Sequence, residues 1–192
     1  MRKIIVYIAT SADGFIARKD GEVDWLDRPD TAGDYGMGKF YKSIDTILWG
    51  RNTANLSSDM GGSFGGSFDK NVRNYVFTRR PPKKEIESVE FVNEPIKKFA
   101  RRLRAAKGKD IWMMGGARII ASFLDAGEID EFIIHVMPTL IGEGIPLVAP
   151  RHRTIPLKLL SIKKFSDGVV RLHYAVCQNP DRKGGHRSQE EP

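Results

Sequence analysis

Apolar residues along this 192-residue chain fall in short runs that end at glycine, proline or charged residues. Runs without a polar face are typical of strands buried on both sides of a parallel sheet. The pattern predicts strands over residues 3–9, 46–49, 74–78, 89–92, 111–114 and 131–137. Two further runs, 157–165 and 169–176, flank a Ser-Asp-Gly sequence and predict a β-hairpin.

Apolar residues spaced three and four positions apart predict helices between these strands. The predicted helices cover residues 34–43, 96–106 and 117–126. Asp34 is a candidate cap of the first helix, Pro95 stands at the start of the second, and Gly127 is a candidate C-cap of the third. Residues 55–70, rich in glycine and serine, and residues 139–146 are predicted to be loops.

The strand predicted at 111–114 runs directly into Gly115 and Gly116, and a helix follows. Glycines let a ligand approach the backbone, and the start of a helix offers free N–H groups and a positive dipole end to an anion. A phosphate or pyrophosphate is the anion that this arrangement favours. Two glycines also make a tight strand-to-helix turn without any ligand, so the residues alone leave both interpretations open.

Strands that alternate with helices and then end in a hairpin predict an α/β fold. We expect a mixed, mainly parallel sheet with helices on both faces. A single domain over residues 1–178 is long enough to bury a sizeable core. The polar stretch 179–192 is predicted to be a disordered tail.

Composition narrows the classes of function. The net charge is +7, with basic residues concentrated at 79–109 and in the tail, but aromatic residues do not alternate with them as a single-strand nucleic-acid site requires. We therefore expect no nucleic-acid partner. No apolar run is long enough to cross a membrane, which predicts no membrane partner and a cytoplasmic location. One cysteine and four histidines without metal-ligand spacing predict no metal site.

Motifs at several strand ends match one family in their order and spacing. They are Ile8–Ala17, Asp24-Trp25, Asp34–Gly36, Thr46–Thr53, Val76–Arg79, Met114–Arg118 and Pro138–Leu147. The chain resembles the dihydrofolate reductase-like superfamily, and within it the reductase domain of riboflavin biosynthesis and its stand-alone relatives. The resemblance covers nearly the whole chain before the tail, and it implies the three-layer dihydrofolate reductase-like fold.

The resemblance also implies that the cofactor is NADPH. Gly50 would allow a close turn, and Arg51 and Thr53 would hold phosphate groups. Thr78, Arg79 and Arg80 would face the adenosine 2′-phosphate, which distinguishes NADPH from NADH. The pyrophosphate would lie at the helix start formed by Gly115, Gly116, Ala117, Arg118 and Ile119. The remaining candidates for cofactor binding are Ala9, Ile16, Asn52 and Met114.

In this family the nicotinamide lies near the end of the first strand. The resemblance therefore implies substrate binding by Ala9, Thr10, Asp13, Trp25 and Asp34. Asp34 is also the candidate catalytic residue, because the folate enzymes keep a carboxylate close to this position. Its alternative role is the helix cap, and both remain open at this point. His135 and His173 fall inside predicted strands and are expected to be structural.

Two hypotheses of function follow. The first is an NADPH-dependent reductase of a pyrimidine, pterin or related heterocycle, resembling 5-amino-6-(5-phosphoribosylamino)uracil reductase or dihydrofolate reductase. The chain lacks the His/Cys zinc signature of a deaminase domain, so it is not the bifunctional riboflavin enzyme. The alternative, suggested by the basic helix and the tail, is a nucleotide- or nucleic-acid-binding module without catalysis.

We also expect a homodimer. The apolar residues Ile141, Ile145, Leu147 and Val148 cluster in a loop rich in glycine and proline, where a monomer would leave them exposed. Riboflavin-type reductase domains pair through this region, so the resemblance points to the same assembly.

Overall fold

The computed structural model describes residues 1–27, 33–59, 69, 71–82, 86 and 88–177. Its strands are β1 (Ile4–Thr10), β2 (Phe15–Ala17), β3 (Ile44–Gly50), β4 (Arg73–Phe77), β5 (Val89–Val92), β6 (Asp110–Gly115), β7 (Glu131–Val136), β8 (Ile145–Pro146), β9 (Leu157–Lys164) and β10 (Val170–Val176). The helices are α1 (Met37–Ser43), α2 (Arg51–Asp59), α3 (Ile96–Ala105) and α4 (Ala117–Ala126), with a 3-10 turn at Asp24–Leu26.

Eight strands form one sheet in the order β5-β4-β3-β6-β1-β7-β10-β9. Neighbours from β5 to β7 are parallel, and the hairpin β9–β10 adds two antiparallel strands beyond β7. This confirms the predicted mixed, mainly parallel sheet and its C-terminal hairpin. Strands β2 and β8 pair with each other as a separate ribbon.

The helices cover both faces of the sheet because the central strands are apolar on both faces. In β1, Ile4 and Val6 belong to a core cluster that includes Phe99 of α3 and Phe123 of α4. The alternate residues of β1 point to the other face, where Ile5 and Tyr7 share a second cluster with Phe40 of α1 and Ala54 of α2.

Three helices lie close to their predicted positions. Helix α4 has the predicted bounds, and Gly127 ends it in a left-handed conformation, with φ +74° and its N–H donating to the carbonyls of Leu124 and Phe123. Helix α3 ends one residue before the predicted position. Helix α1 begins at Met37 rather than at Asp34, because the chain before it forms a turn that Asp34 holds.

The loop predicted at residues 55–70 is wrong for its first part, since α2 continues to Asp59. This helix is mostly polar, and among its residues with described side chains only Ala54 is buried. One small buried residue produces no helical periodicity of apolar positions in the sequence. The stretch from 60 to 68 lies outside the described residues, as does the tail predicted to be disordered.

The segment predicted as a loop at residues 139–146 also contains structure. Ile145 and Pro146 form β8, so the loop prediction is wrong for these two residues. The sequence also predicted that apolar residues of this segment would be exposed in a monomer, and this expectation is wrong for three of them. Leu147 and Val148 pack against the first core cluster, and Ile141 packs beside Trp25 and Met137. No helix in the part of the chain that the structure describes is long and apolar enough to span a membrane.

Candidate functional site

A large cleft opens at the carboxyl edge of the parallel strands. Strands β1, β3, β4 and β6 all end at this edge, which is where open α/β sheets bind ligands. The cleft has a volume of about 2060 Å³ and is closed on one side by the β2–β8 ribbon. Since sites for a single small ligand span roughly 300–1,000 Å³, this cleft has room for two reactants.

The glycine junctions after β3 and β6 pack against each other in the cleft wall. A Cβ atom on Gly50 would lie 3.2 Å from Cγ2 of Ile119 and 3.3 Å from the carbonyl oxygen of Gly115. A Cβ atom on Gly116 would lie 3.0 Å from the hydroxyl oxygen of Thr53. The peptide bond between Gly115 and Gly116 is cis. Side chains are therefore excluded where the backbones of the two turns meet the cleft.

One arm of the cleft is lined by arginines that come from three separate strand ends. Arg51 follows β3, Arg79 and Arg80 follow β4, and Arg118 lies at the start of α4. None of the four forms an ion pair within the described part of the chain. The Thr78 hydroxyl accepts a hydrogen bond from the Arg80 N–H at 3.1 Å, which orders the turn after β4. This arm is suited to phosphate groups, which bind unpaired guanidinium groups strongly.

The other end of the cleft is aromatic. Tyr7 of β1 stacks on Phe40, with ring centroids 4.3 Å apart, and meets Trp112 edge-on. The indole Nε1 of Trp112 donates to the carbonyl of Tyr7 at 3.0 Å and fixes the pair. Tyr7, Tyr35 and Trp112 all line the cleft. Flat, rigid side chains of this kind are suited to a planar ring.

His135 of β7 lies in the floor of the aromatic end and is only 5% exposed. Its Nε2 atom is 3.3 Å from the backbone carbonyl oxygen of Tyr35 and 3.4 Å from the Tyr7 hydroxyl. Burial lowers the pKa of His135 to about 4, and the positive charge of Arg171 acts in the same direction. Burial raises the pKa of Tyr7 to about 12. At neutral pH both groups are therefore uncharged.

Asp34 also lines the cleft, but both of its carboxylate oxygens are engaged. They accept hydrogen bonds from the backbone N–H groups of Gly36 at 2.8 Å and Gly38 at 2.9 Å. These bonds hold the pKa of Asp34 below its ordinary value, so the group carries no proton at neutral pH. The N-cap of α1 is Gly36, so the predicted cap role of Asp34 is wrong in detail, and its carboxylate instead holds the turn that leads into the helix.

Most predicted cofactor residues share this cleft. The lining includes Ala9, Ile16, Gly50, Arg51, Asn52, Thr53, Thr78, Arg79, Arg80, Met114, Gly116, Ala117, Arg118 and Ile119. Gly115 is the one predicted cofactor residue that lies outside the lining. It turns the chain with φ +107° behind Gly116, so it shapes the wall without facing the cleft.

Three predicted substrate residues, Thr10, Asp13 and Trp25, are not part of the cleft lining. Thr10 is buried, and its carbonyl accepts the N–H of Met137 at 2.8 Å. The Asp13 carboxylate accepts the N–H groups of Ile141 and Gly142 and so ties two loops together. Trp25 is 7% exposed, and its Nε1 has no hydrogen-bond partner within the described ranges. Substrate binding by these three residues stays a prediction.

Tyr7, Tyr35 and Trp112 line the cleft and His135 lies in its floor, although no motif of a single segment indicates these positions. One signal was present, because Tyr7 lies two positions before Ala9 and therefore shares its face of the strand. No signal in the sequence places His135 beside them, since that depends on the pairing of β7 with β1. Within the described ranges, no group of three or more His, Cys, Asp or Glu residues is arranged to hold a metal ion.

The sheet order and the cleft define an α/β domain with its ligand site at the carboxyl edge. The sequence model of the RibD C-terminal domain family matches residues 2–171, and the chain belongs to that family. Two relatives from Bacillus subtilis are the uncharacterized proteins YwjB and YyaP. YwjB is 41% identical over 90% of this chain and 97% of its own length. YyaP is 35% identical over 90% of this chain and 94% of its own length.

Solved structures agree with this assignment. A candidate riboflavin biosynthesis protein from Shewanella sp. PV-4 superposes with a TM-score of 0.78 and 25% identity, over 92% of this chain and 99% of that one. The Thermotoga maritima diaminohydroxyphosphoribosylaminopyrimidine deaminase/5-amino-6-(5-phosphoribosylamino)uracil reductase gives a TM-score of 0.69 over 57% of its length. At 18% identity this second likeness shows the fold alone.

Proposed function

We propose that this protein is an NADPH-dependent reductase of a planar nitrogen heterocycle. The observation that carries the proposal is one continuous cleft that joins an arginine-lined arm to an aromatic end. The two ends suit different chemistries, a charged dinucleotide on one side and a flat ring on the other. A cleft with room for two ligands is what a bimolecular hydride transfer requires.

The residues of the arginine arm fit NADPH. The contact between Gly50 and the Gly115–Gly116 turn leaves backbone, not side chains, at the start of α4, where the pyrophosphate would bind. Arg51 and Thr53 would hold phosphate oxygens, and Thr78, Arg79 and Arg80 would hold the 2′-phosphate. When bound, NADPH supplies the hydride that reduces the substrate.

The aromatic end would hold the substrate ring between Tyr7, Tyr35 and Trp112 and keep water away from it. Reduction also consumes a proton, and Asp34 is ionised at neutral pH. The Tyr7 hydroxyl, with a pKa of about 12, keeps its proton at neutral pH, so it would donate a hydrogen bond to the substrate but is too weak an acid to supply the proton of the reduction. His135, which lies beside Tyr7, is neutral and therefore does little to select the charge of the substrate ring. The proposal of a planar ring rests on the flat aromatic side chains instead.

The named candidates for the substrate are the ribosylaminopyrimidine phosphate of the riboflavin pathway and a dihydropterin. The first is supported by the family and by the description of the Thermotoga maritima neighbour as a 5-amino-6-(5-phosphoribosylamino)uracil reductase. The second is supported by the resemblance to the folate enzymes. The proposed partner is thus a small molecule, with neither nucleic acid nor a membrane as ligand.

The alternative function is a nucleotide- or nucleic-acid-binding module without catalysis. It requires a continuous basic face on α3 and a cleft filled by side chains. On α3, however, Arg102 pairs with Glu90 and Glu94, and Arg104 pairs with Glu128 and Asp130. The face is therefore partly neutralised, and the cleft is open. Both observations favour the reductase.

Titration of the purified protein with NADPH, followed by the cofactor's fluorescence, tests the first step. We expect saturable binding at micromolar concentrations, weakened by Arg51→Ala and unchanged by Arg101→Ala, an exposed arginine outside the cleft. Pyrimidine and pterin substrates are then screened for oxidation of NADPH. Failure of the wild-type protein to bind NADPH would remove the proposal, whatever the screen gives.

A further inference from the structure

Three basic side chains form a row across the C-terminal half of the sheet. Arg171 of β10 is paired directly with His135 of β7 on one side and with Lys163 of β9 on the other. Directly paired residues point to the same face of a sheet. Because His135 lies in the floor of the cleft, Arg171 and Lys163 continue from its aromatic end towards the sheet edge.

The guanidinium group of Arg171 lies beside the turn that precedes α1. Its Nη1 atom is 3.3 Å from the position that a Cβ atom on Gly36 would occupy. Gly36 has φ +92° and no side chain, so it leaves this space to the arginine. The neighbouring residues Asp34 and Tyr35 line the cleft, whereas Arg171 itself lies next to this wall and outside the lining.

Arg171 is half-buried, yet its guanidinium group forms no hydrogen bond or ion pair within the described part of the chain. Lys163 lies over the ring of Phe165, 4.6 Å from its centroid, and also has no acidic partner there. Like charges that are paired directly across two strands repel each other. The fold therefore keeps two adjacent cations together, and among the described residues no carboxylate forms an ion pair with either of them.

The two acids near the row are engaged elsewhere. Asp34 accepts two backbone N–H groups of the α1 turn. Asp167 accepts the hydroxyl of Tyr35 and, at 3.3 Å, the N–H of Val169. Both carboxylates shape the segments around the row. Asp34 forms no ion pair with Arg171 or Lys163 in the described part of the chain, although the charge of Lys163 helps to lower its pKa.

We propose that Arg171 and Lys163 bind an anionic group of the substrate, a phosphate or a carboxylate, while its ring occupies the aromatic end of the cleft. The inference rests on the proposed function, because it assumes that the ring binds there. Arginine suits this role, since its planar fork holds two oxygens of one anion and is less strongly hydrated than an ammonium group. The arginines that line the other arm of the cleft are a separate set, since they follow β3, β4 and β6.

The experiment compares ligands that differ only in an anionic group. The probes are uracil against orotate, pterin against pterin-6-carboxylate, and uridine against uridine 5′-monophosphate, each titrated calorimetrically into protein saturated with NADPH. We expect the anionic member of a pair to bind about tenfold more tightly. Preference for orotate or pterin-6-carboxylate assigns a carboxylate, and preference for the nucleotide assigns a phosphate.

Substitutions show which side chains cause the tighter binding of the anionic probes. Arg171→Ala should abolish it, Arg171→Lys should retain part of it, and Lys163→Ala should reduce it. Lys164→Ala is the matched control, because Lys164 carries the same charge on the same strand but points to the opposite face. Thermal unfolding of each variant shows whether the hairpin remains folded, and Arg171→Lys keeps the test decisive if Arg171→Ala does not fold.

The outcomes separate the two proposals. Equal affinity of wild type for the neutral and anionic members of every pair, or absence of binding by every anionic probe, overturns the anion site. A preference that Lys164→Ala removes as fully as Arg171→Ala also overturns it, because general surface charge then explains the effect. NADPH binding by Arg171→Ala should equal that of wild type. Failure of wild type to bind NADPH instead refutes the reductase itself.

Discussion

The imidazole Nε2 of His135 lies 3.4 Å from the hydroxyl oxygen of Tyr7, in the buried floor of the cleft. The side chains come from neighbouring parallel strands, and a carbonyl of the segment before α1 lies against both. Tyr7, the carbonyl of Tyr35 and the cation of Arg171 are the polar and charged groups that face this imidazole. Among the described residues, no carboxylate lies where it would stabilise a protonated His135.

Protonation of His135 should therefore destabilise the fold at acidic pH. Its pKa is about 4 in the folded protein and near 6.5 when unfolded, so the unfolded chain binds the extra proton first. Stability is full above the unfolded value and falls as the pH is lowered from about 6.5 to about 4, by about 3 kcal/mol at most. Urea unfolding of wild type and His135→Asn across this interval measures the difference. Parallel stability curves for the two proteins would contradict the assignment.

Arg79 should determine the preference for NADPH over NADH. It follows β4 and is exposed in the arginine-lined arm of the cleft, so a contact with a 2′-phosphate would be only partly shielded from water. Arg79→Ala is expected to weaken NADPH binding by about 1.5 kcal/mol, roughly tenfold, and NADH binding much less. Dissociation constants for both cofactors decide this, with Arg101→Ala as the control. Equal losses for the two cofactors would show that Arg79 does not read the 2′-phosphate.

Arg104 should be the basic residue of α3 that matters most for stability. Its side chain is 12% exposed and donates to the carbonyls of Arg2 at 2.8 Å and Glu128 at 3.1 Å. It also pairs with Asp130 at 2.8 Å, whose carboxylate accepts the N–H of Ile4. Arg104→Ala leaves these buried groups without their partner and should lower the free energy of unfolding by about 3 kcal/mol.

The matched control for Arg104 is the exposed Arg101 on the same helix, where alanine should change stability by less than about 0.5 kcal/mol. Chemical unfolding compares the two variants. Similar small losses would mean that the network at the amino edge of β1 contributes little, and that α3 is held by Phe99 and Leu103 alone.

Much of the fold was predictable because its signals are local. Helix α4 is bounded by glycines that end the preceding strand and cap the helix, so Gly116 and Gly127 mark its limits in the sequence. The strand ends that carry Gly50, Thr78 and Gly116 were identified from turn chemistry and resemblance. Parallel pairing then brings those ends to one edge of the sheet. The arginine-lined arm of the cleft is therefore predictable from the sequence.

The aromatic end could not be predicted in the same way, because its members come from distant segments. His135 and Arg171 are far apart in sequence, and only the register of β7 and β10 makes them neighbours. The sequence pattern does not predict helix α2, for another reason. Its packing uses Ala54 alone among its described side chains, so tertiary contacts and not amphipathic spacing make it helical.

The hairpin strand β9 presents apolar side chains to solvent. Leu157, Leu159, Leu160 and Ile162 are 43%, 47%, 46% and 61% exposed. Three of them are paired with Val176, Tyr174 and Leu172 of β10, on the face opposite to Arg171 and Lys163. β9 is also the last strand of the sheet, so one of its backbone edges has no neighbouring strand within the described chain. Exposed apolar edges of this kind usually mark an interface.

We expect a homodimer in which β9 of one chain covers β9 of the other. A symmetric pair buries the same patch on both chains, and it leaves the cation row on the other face accessible. Light scattering over a range of concentrations should give twice the mass of one chain. Ile162→Asp places a charge on the most exposed residue of the patch and should shift the mass towards that of a monomer, whereas Lys164→Ala, on the same strand and face, should not. A monomeric wild-type protein at all concentrations would refute the dimer, and a dimer that survives Ile162→Asp and Leu159→Asp would place the interface elsewhere.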